Sequence, residues 1–395
     1  MSSRTVAVIG AGAAGTAAAG TLHKRGADDG IDIEVDLFAR TGEHPHNRTL
    51  VNKGVAIGLL EPQQTALPDT GARLTADTVR GIDPRTRRLH LDSGRSETFD
   101  ALIISSGSRP RHLDEEIIGR DQAVAAGRLT TLHSLADAVR VRDRLTTAPA
   151  RVLLLGGGIL GHETASLLTD AGHDVALIAR APVPGAGALG EAVAQQLLAL
   201  HQGQHGVYLG RDVRAIRTHS DRITIVLDDN TQVDGDLAIV AHGTLPVAPA
   251  PWTGPDGIAV DSRLRTLSAP DQRIYAAGGV AVHHYPGRSS YRIDHWDDAT
   301  AQGAHAAKAL LHDLGLTEDP GPYLPTSIYS ARIHGHTLVG AGHPAIGTST
   351  QVMSSEPLLV AHCLERTPVA LIGIDPGHLL HDHATHLHQQ IPSHR

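Results

Sequence analysis

The sequence predicts an α/β fold with a β-rich closing segment, and three observations predict it. The stretch "TVAVIGAGAAGTAAAGTLHKRG" near the N-terminus reads as strand, glycine turn and helix. The same pattern returns further along the chain as "RVLLLGGGILGHETASLLTDAGHDVALIAR". After Pro320 the character changes, and "SIYSARIHGHTLVGAGH" and "PLLVAHCLERTPVALIGID" read as antiparallel strands.

In the first copy Val6, Val8 and Ile9 form a short β-rich run, Gly10, Gly12 and Gly15 the turn, and Gly26 a helix-ending residue. "IDIEVDLFAR" then alternates Ile31, Ile33, Val35 and Leu37 as a second strand. Gly156, Gly158, Gly161 and Gly172 repeat the offsets. One glycine turn is weak evidence, but two, each between strand and helix and each followed by a strand, point to two dinucleotide-binding βαβ units. The first glycine permits the tight turn, the second lets the backbone approach a pyrophosphate, and the third allows close helix packing. Ala13 and Ala14 in one copy, Ile159 and Leu160 in the other, open the helix whose N-terminus favours an anion.

"VRGIDPRTRRLHLDSGRSETFDALIISSGSRPR" reads as a three-stranded meander feeding a buried strand, Ala101 to Ile104, and "VRAIRTHSDRITIVLDDNTQVDGDLAIVAHGTLP" repeats the plan after the second copy. The repetition suggests one domain inserted in another. The expected boundaries are residues 1–113 with 246–317 for a split first domain, 114–245 for the inserted one and 318–395 for a C-terminal interface domain.

Composition narrows the class. Hydrophobic residues at 41% and charged residues at 19% fit an ordinary globular protein. A net charge of −8 and no basic stripe argue against nucleic acid. The single cysteine, Cys363, excludes a disulfide framework, a CxxC redox pair and a Cys-rich zinc site, and is expected to be a small core residue. The chain enters its first strand directly after Met1–Arg4, and no apolar run approaches a membrane span. A cytoplasmic protein with no membrane partner is expected.

Nucleotide choice is read at the end of each second strand, where an acid bonds a ribose 2′-hydroxyl and an arginine suits a 2′-phosphate. The second copy ends with Ala179 and Arg180, which favours NADPH over NADH; a solvated strand-end charge is the alternative for Arg180.

Together these residues resemble the pyridine nucleotide-disulfide oxidoreductase superfamily, which uses FAD and NAD(P)H. The likeness is closest to its ferredoxin and rubredoxin reductases and apoptosis-inducing-factor-like flavoproteins, and is strong over about residues 4–315. "EHPHNRTLVNKGVAIG" is similar to a segment with an arginine and, five residues on, a lysine beside the flavin; Arg48 and Lys53 fall there. "SSGSRPR" resembles the flavin-side turn, with Ser106, Gly107 and Arg111, and "GGGILGHE" puts Glu163 where the family carries a glutamate near the reacting rings. "YRIDHWDDATAQGAHAAKALL" resembles the segment opening the last flavin-contacting helix, with Asp294, His295 and Trp296. The resemblance also implies cofactor contacts at Arg40, Val79, Gly243, Gly278 and Gly279, and catalytic roles for Lys53 and Glu163. A surface lysine and a helix N-terminal charge are the bland alternatives for that pair. It leaves a homodimer open.

Departures matter equally. No redox cysteine follows the first turn or lies in "RTLVNKG". The FAD-ribose acid is missing, with Ala39 and Arg40 in its place and Glu43 nearest. "IYAAGGVAVHH" has Gly278-Gly279 where the family has glycine-aspartate, the acid that bonds the ribityl chain. FAD is therefore expected to bind weakly, and Gly279→Asp to raise its occupancy. The 27 histidines include "GHLLHDHATHLHQQ", expected to be a solvated helix with no native metal.

The expected function is reduction of FAD by NAD(P)H, with electrons passed to an unidentified acceptor, a small iron-sulfur protein or a small molecule. The rivals are a scaffold that has lost tight FAD binding and a flavin-dependent enzyme tailoring a small organic substrate.

Overall fold

Two five-stranded parallel sheets organise the chain, in a computed structural model that describes residues 4–41, 44–146, 148–204, 206–269, 273–285 and 290–389. The chain divides into two compact units. The first comprises residues 1–47, 66–109 and 244–327, and the second 48–65, 110–243 and 328–395.

In the first unit β1 (Arg4–Ile9) leads through the glycine turn into α1 (Ala13–Asp29) and then β2 (Ile33–Ala39). β1 lies between β2 and β3 (Ala101–Ile104), both parallel to it. This places a change of strand order beside β1, where open α/β sheets bind ligands at the carboxyl ends. β2 departs from the alternation read in the sequence: it starts at Ile33, and Val35 to Ala39 are all buried, because a parallel sheet is covered on both faces. Its buried Asp36 is met by Arg73 at 2.5 Å. α1 also runs past Gly26. Its left-handed cap is Gly30 (φ 64°), whose N–H donates to Gly26 O. At Gly26 the chain folds back closely: its carbonyl also accepts from Ile31 N at 2.9 Å, and a Cβ there would lie 3.1 Å from Ile31 O.

The second unit repeats the plan. β4 (Arg151–Leu155) enters α2 (Ile159–Asp170), then β5 (Asp174–Ala179), and β4 pairs in parallel with β5 and with β6 (Leu237–Val240). Gly172 follows α2 with φ +89°, as its sequence offset implies. Each unit carries the expected antiparallel meander, over residues 79–98 and 213–235. β3 and β6, which follow the meanders, are wholly buried.

The first sheet is completed at one edge by β7 (Ile274–Ala276), parallel to β3. α3 (Trp296–Asp313) packs along α1 at a very short separation, because a Cβ on Gly303 would stand 2.0 Å from Ala14 O. Only a residue without a side chain allows that approach.

The closing segment forms a five-stranded antiparallel sheet in the second unit, beginning with β8 (Ile328–Ile333). Cys363 is a buried free thiol in its core. The histidine-rich tail is helical over His378–Ala384, but it is not simply solvated. Leu380, Leu387 and His388 are buried, the two leucines in the cluster that holds Cys363, so only the polar face meets water. Among the described residues no helix is long and apolar enough to cross a membrane.

The α1–α3 contact yields a first expectation. Gly303→Ala forces the two helices apart and should destabilise the protein by about 1–3 kcal/mol, the cost of overpacking, read as a lowered urea midpoint. An unchanged midpoint would mean the helices part without cost.

Candidate functional site

Each glycine turn is built by three different steric demands. Gly10 has φ +99°, and a Cβ there would lie 2.4 Å from Ser105 O. A Cβ on Gly15 would lie 1.8 Å from Gly10 O, whereas one on Gly12 would meet no atom within 4 Å. The second turn matches: Gly156 (φ +123°) sits against Ala241 O, a Cβ on Gly161 would lie 2.3 Å from Gly156 O, and one on Gly158 meets nothing within 4 Å. The outer glycines are thus held by packing, while the middle one presents bare backbone. Neither α1 nor α2 has a side-chain cap or an acid in its first turn. Both helix ends therefore keep their N–H groups and partial positive charge for an outside anion, which fits a pyrophosphate. Ala13 and Ala14 are buried at the start of α1; Ile159 is half-buried and Leu160 exposed at the start of α2.

In the first unit Ala39 is buried at the end of β2 and Arg40 is exposed beyond it, while Glu43 lies outside the described residues. Val79 is buried in the core. Ser105 Oγ donates to Ile9 O at 2.8 Å, tying β3 to the turn. Ser106 Oγ donates to Val247 O, and Gly107 (φ +72°) accepts from Val247 N. Gly278 (φ +75°) donates its N–H to Gln302 Oε1 at 2.7 Å. Gln302 Nε2 donates at 2.5 Å to Asp298, whose carboxylate also accepts from Tyr323 OH at 2.7 Å. Burial raises the Asp298 carboxyl above its ordinary value. His295 is the residue before α3 and Trp296 its first. Sequence reasoning missed Asp298 and Gln302, although their four-residue spacing on a helix was a readable signal.

In the second unit Lys53 and Glu163 are brought together, and Arg48 precedes the turn that carries Lys53. Val51–Val55 forms a π-helical turn, with Arg48 O accepting from Val51 N at 3.2 Å. Lys53 Nζ meets Glu163 Oε1 at 3.0 Å and donates to Ser330 O at 3.2 Å. The nearly buried Glu163 carboxylate also accepts from Asn52 Nδ2 and from Arg332 N, each at 3.3 Å. A buried carboxylate needs such donors to stay charged. Nothing in the sequence signalled that the backbone of β8 supplies one of them. Arg111 N donates to Gly243 O at 2.9 Å, bringing those two residues together. Arg180, at the end of β5, is paired with Asp212 at 2.6 Å on the surface.

A family model described as pyridine nucleotide-disulphide oxidoreductase matches residues 4–303. The chain belongs to this family. The anthranilate 1,2-dioxygenase system ferredoxin–NAD(+) reductase component of Burkholderia cepacia is 31% identical over 361 residues, spanning 88% of this chain and 85% of that protein. Terpredoxin reductase of a Pseudomonas species is 31% identical over 322 residues, spanning 78% and 75%. In fold the chain is similar to a putidaredoxin reductase solved in covalent complex with putidaredoxin, at TM-score 0.86, 21% identity and coverage of 99% and 94%. It is a FAD-dependent NAD(P)H oxidoreductase of the ferredoxin-reductase-like kind. This member lacks the cysteine pair that the family description implies, since Cys363 is its single cysteine.

Beside Glu163 the reductase carries a chain of three imidazoles. His162 Nδ1 is 2.7 Å from His201 Nε2, and His201 Nδ1 is 2.9 Å from His334 Nε2. His162 Nε2 lies 3.3 Å from Pro184 O, which can only accept. With Nε2–H donated to Pro184 O, a neutral His162 accepts at Nδ1 from His201 Nε2. Burial pushes His162 down to about 4 and His334 also below its ordinary value. Among the described residues no group of three or more His, Cys, Asp or Glu side chains is placed to hold a metal ion.

This sets a pH dependence. A protonated His162 would turn a donor toward the donor of His201. The folded value of about 4 lies below the ordinary 6.5, so the unfolded chain binds more protons between the two. The stabilisation is complete above pH 6.5 and is lost as pH falls toward 4, at most about 3 kcal/mol. Urea midpoints between pH 7 and 4.5 should fall accordingly, and His162→Asn, which keeps an acceptor near Nδ1, should remove His162's share of a slope to which the buried His242, His305, His334 and His362 also contribute. A wild-type midpoint independent of pH over this range would contradict a neutral His162.

Proposed function

We propose that the first unit holds FAD and the second NADPH, and that the electrons go on to a small iron-sulfur protein. The observation that carries this reading is the pair of turns whose middle glycines, Gly12 and Gly158, are bare and whose helices are uncapped. The domain roles follow: residues 1–113 with 246–317 for FAD, 114–245 for NADPH, and 318–395 as an interface segment. The relatives' names, reductases of ferredoxin and terpredoxin, support the acceptor class. A cytoplasmic location agrees with it.

Held there, FAD would supply hydride acceptance from the nicotinamide and electron transfer to the acceptor. The protein's own contribution is positioning and electrostatics. On this reading Gly10, Gly12, Ala13, Ala14 and Gly15 receive the FAD pyrophosphate. Arg40, Val79, Ser106, Gly107, Gly278, Gly279, His295 and Trp296 of the first unit line the rest of the cofactor. Gly156, Gly158, Ile159, Leu160 and Gly161 receive the pyrophosphate of NADPH. Lys53 and Glu163, locked by Asn52 and the Ser330–Arg332 backbone, fix the charge that the reacting rings meet.

The test is to extract the cofactor, record the visible spectrum and follow NADPH oxidation over a panel of small iron-sulfur proteins. A folded protein that stays colourless with added FAD would overturn the reading. Lys53→Ala should slow single-turnover reduction of bound flavin by about tenfold, or about 1.4 kcal/mol in the barrier, measured on folded protein because the change also leaves the buried Glu163 without its ion-pair partner and lowers stability. An unchanged rate would return Lys53 to a structural role.

Nucleotide preference rests on Ala179 and Arg180. NADPH should bind more tightly than NADH, and Arg180→Ala should cost NADPH about 1.5 kcal/mol, the low end for a charge-assisted bond at an exposed site. Equal dissociation constants for the two nucleotides in the parent protein would refute it.

A further inference from the structure

Just beyond Arg180, residues 184–190 are held at both ends by buried imidazoles. At the near end Pro184 lies on the second glycine turn. A Cβ on Gly157, the residue before the bare Gly158, would stand 2.2 Å from Pro184 Cβ and 3.1 Å from its Cα. Gly185 (φ +86°) keeps the chain equally close, since a Cβ there would lie 3.2 Å from Gly157 O and 3.2 Å from His162 Nε2. His162 Nε2 donates to Pro184 O at 3.3 Å. At the far end His362, in the strand Leu358–Leu364, donates from Nε2 to Leu189 O at 3.2 Å. A carbonyl only accepts, so each imidazole carries a proton on Nε2. Between the two anchors runs the short helix Ala186–Leu189, whose Leu189 is fully buried with Val193, Leu197, Ile333 and Leu338.

His162 is braced from behind. His201, on the helix Glu191–Gln202, stacks on it with ring centroids 4.8 Å apart, and neither ring is exposed. An apolar side chain would occupy this place at a smaller desolvation cost. What the imidazole adds is a donor aimed at Pro184 O. Only Ala181, Pro182 and Val183 separate Arg180 from Pro184, and both prolines restrict φ. A fixed Pro184 therefore confines the strand end as well as the turn.

We propose that His162 and His362 are positioning residues for the dinucleotide, which hold residues 184–190 as a fixed wall on the glycine turn. The inference rests on the reading that this unit holds NADPH. A segment held in one arrangement binds at its intrinsic affinity, whereas a loosened one binds only in the fraction of molecules that have it in place. Neither histidine was singled out in the sequence, where each is one of 27.

The experiment titrates NADP+ and NAD+, which cannot transfer hydride, into FAD-supplemented protein by calorimetry, and records the urea midpoint of each variant. His162→Asn keeps an acceptor near Nδ1 but has no donor at Pro184 O, whereas His162→Gln brings an amide nitrogen near the place of Nε2. The asparagine variant should bind NADP+ about fivefold more weakly, the loss of one neutral hydrogen bond, and the glutamine variant should stay within about twofold of the parent. His362→Leu should also weaken NADP+ about fivefold. Should the His162 variants fail to fold, His362→Leu against His362→Gln makes the same comparison at the other anchor. Parental affinity in folded His162→Asn, or an equal loss in His162→Asn and His162→Gln that follows their urea midpoints, overturns the proposal and leaves the nucleotide reading intact. A folded parent that binds neither nucleotide overturns both.

Discussion

Both units depend on one steric contact: the α-carbon of the third glycine lies against the carbonyl of the first. At Gly15 and Gly161 a methyl group would fall 1.8 Å and 2.3 Å from Gly10 O and Gly156 O. The contact draws the first turn of the helix onto the end of the strand, and so places uncapped N–H groups at the carboxyl edge of the sheet. In the first unit the consequence extends further. Ala14, one residue before Gly15, presents the carbonyl against which Gly303 packs, so the position of α3 is set by the same turn. The start of α3, with Asp294, His295 and Trp296 around it, inherits that position.

A second constraint governs the acids. Glu163 and Asp294 are each held by groups distant in sequence, but in different ways. Glu163 is nearly buried, and its charge is matched by Lys53 and two further N–H donors. Asp294 is met by the hydroxyls of Ser108 and Thr244, both distant in sequence, and by the nearby Arg292, and its side chain is partly exposed. The first arrangement suits a fixed field, because burial strengthens an electrostatic effect when the charge is paired.

The doubled glycine pattern, the meanders and the antiparallel closing segment were legible because they rest on local signals: period, turn residues and the need of parallel strands for burial on both faces. Lys53 and Glu163 were legible through motif context, and the structure pairs them at 3.0 Å. What stayed hidden was non-local. Gly26 has the composition of a helix end, yet three more residues carry the helix to Gly30. The tail looks polar by count, but the positions of Leu380, Leu387 and His388 bind it to the core. A one-dimensional comparison could not show that Asp294 lies against Gly279. Nor could it show that Ser330 and Arg332 would bond Lys53 and Glu163 through their backbones.

Arg180 shows how such a neighbour tempers a motif. Its pairing with Asp212 is exposed on both sides, 78% and 52%, and pairs of that kind contribute at most about 1 kcal/mol. A ribose 2′-phosphate offers Arg180 more charge and more acceptors than one carboxylate, so under the NADPH reading exchanging partners costs little. Asp212 does not leave when the exchange occurs, however. Its charge stays near the phosphate and opposes it, and a carboxylate there can accept from the 2′-hydroxyl of NADH. Under that reading the strand end carries an arginine that attracts a 2′-phosphate beside an acid that opposes it. The preference should therefore be a matter of degree, set by the distance Arg180 moves from Asp212 rather than by the Ala179–Arg180 pair alone.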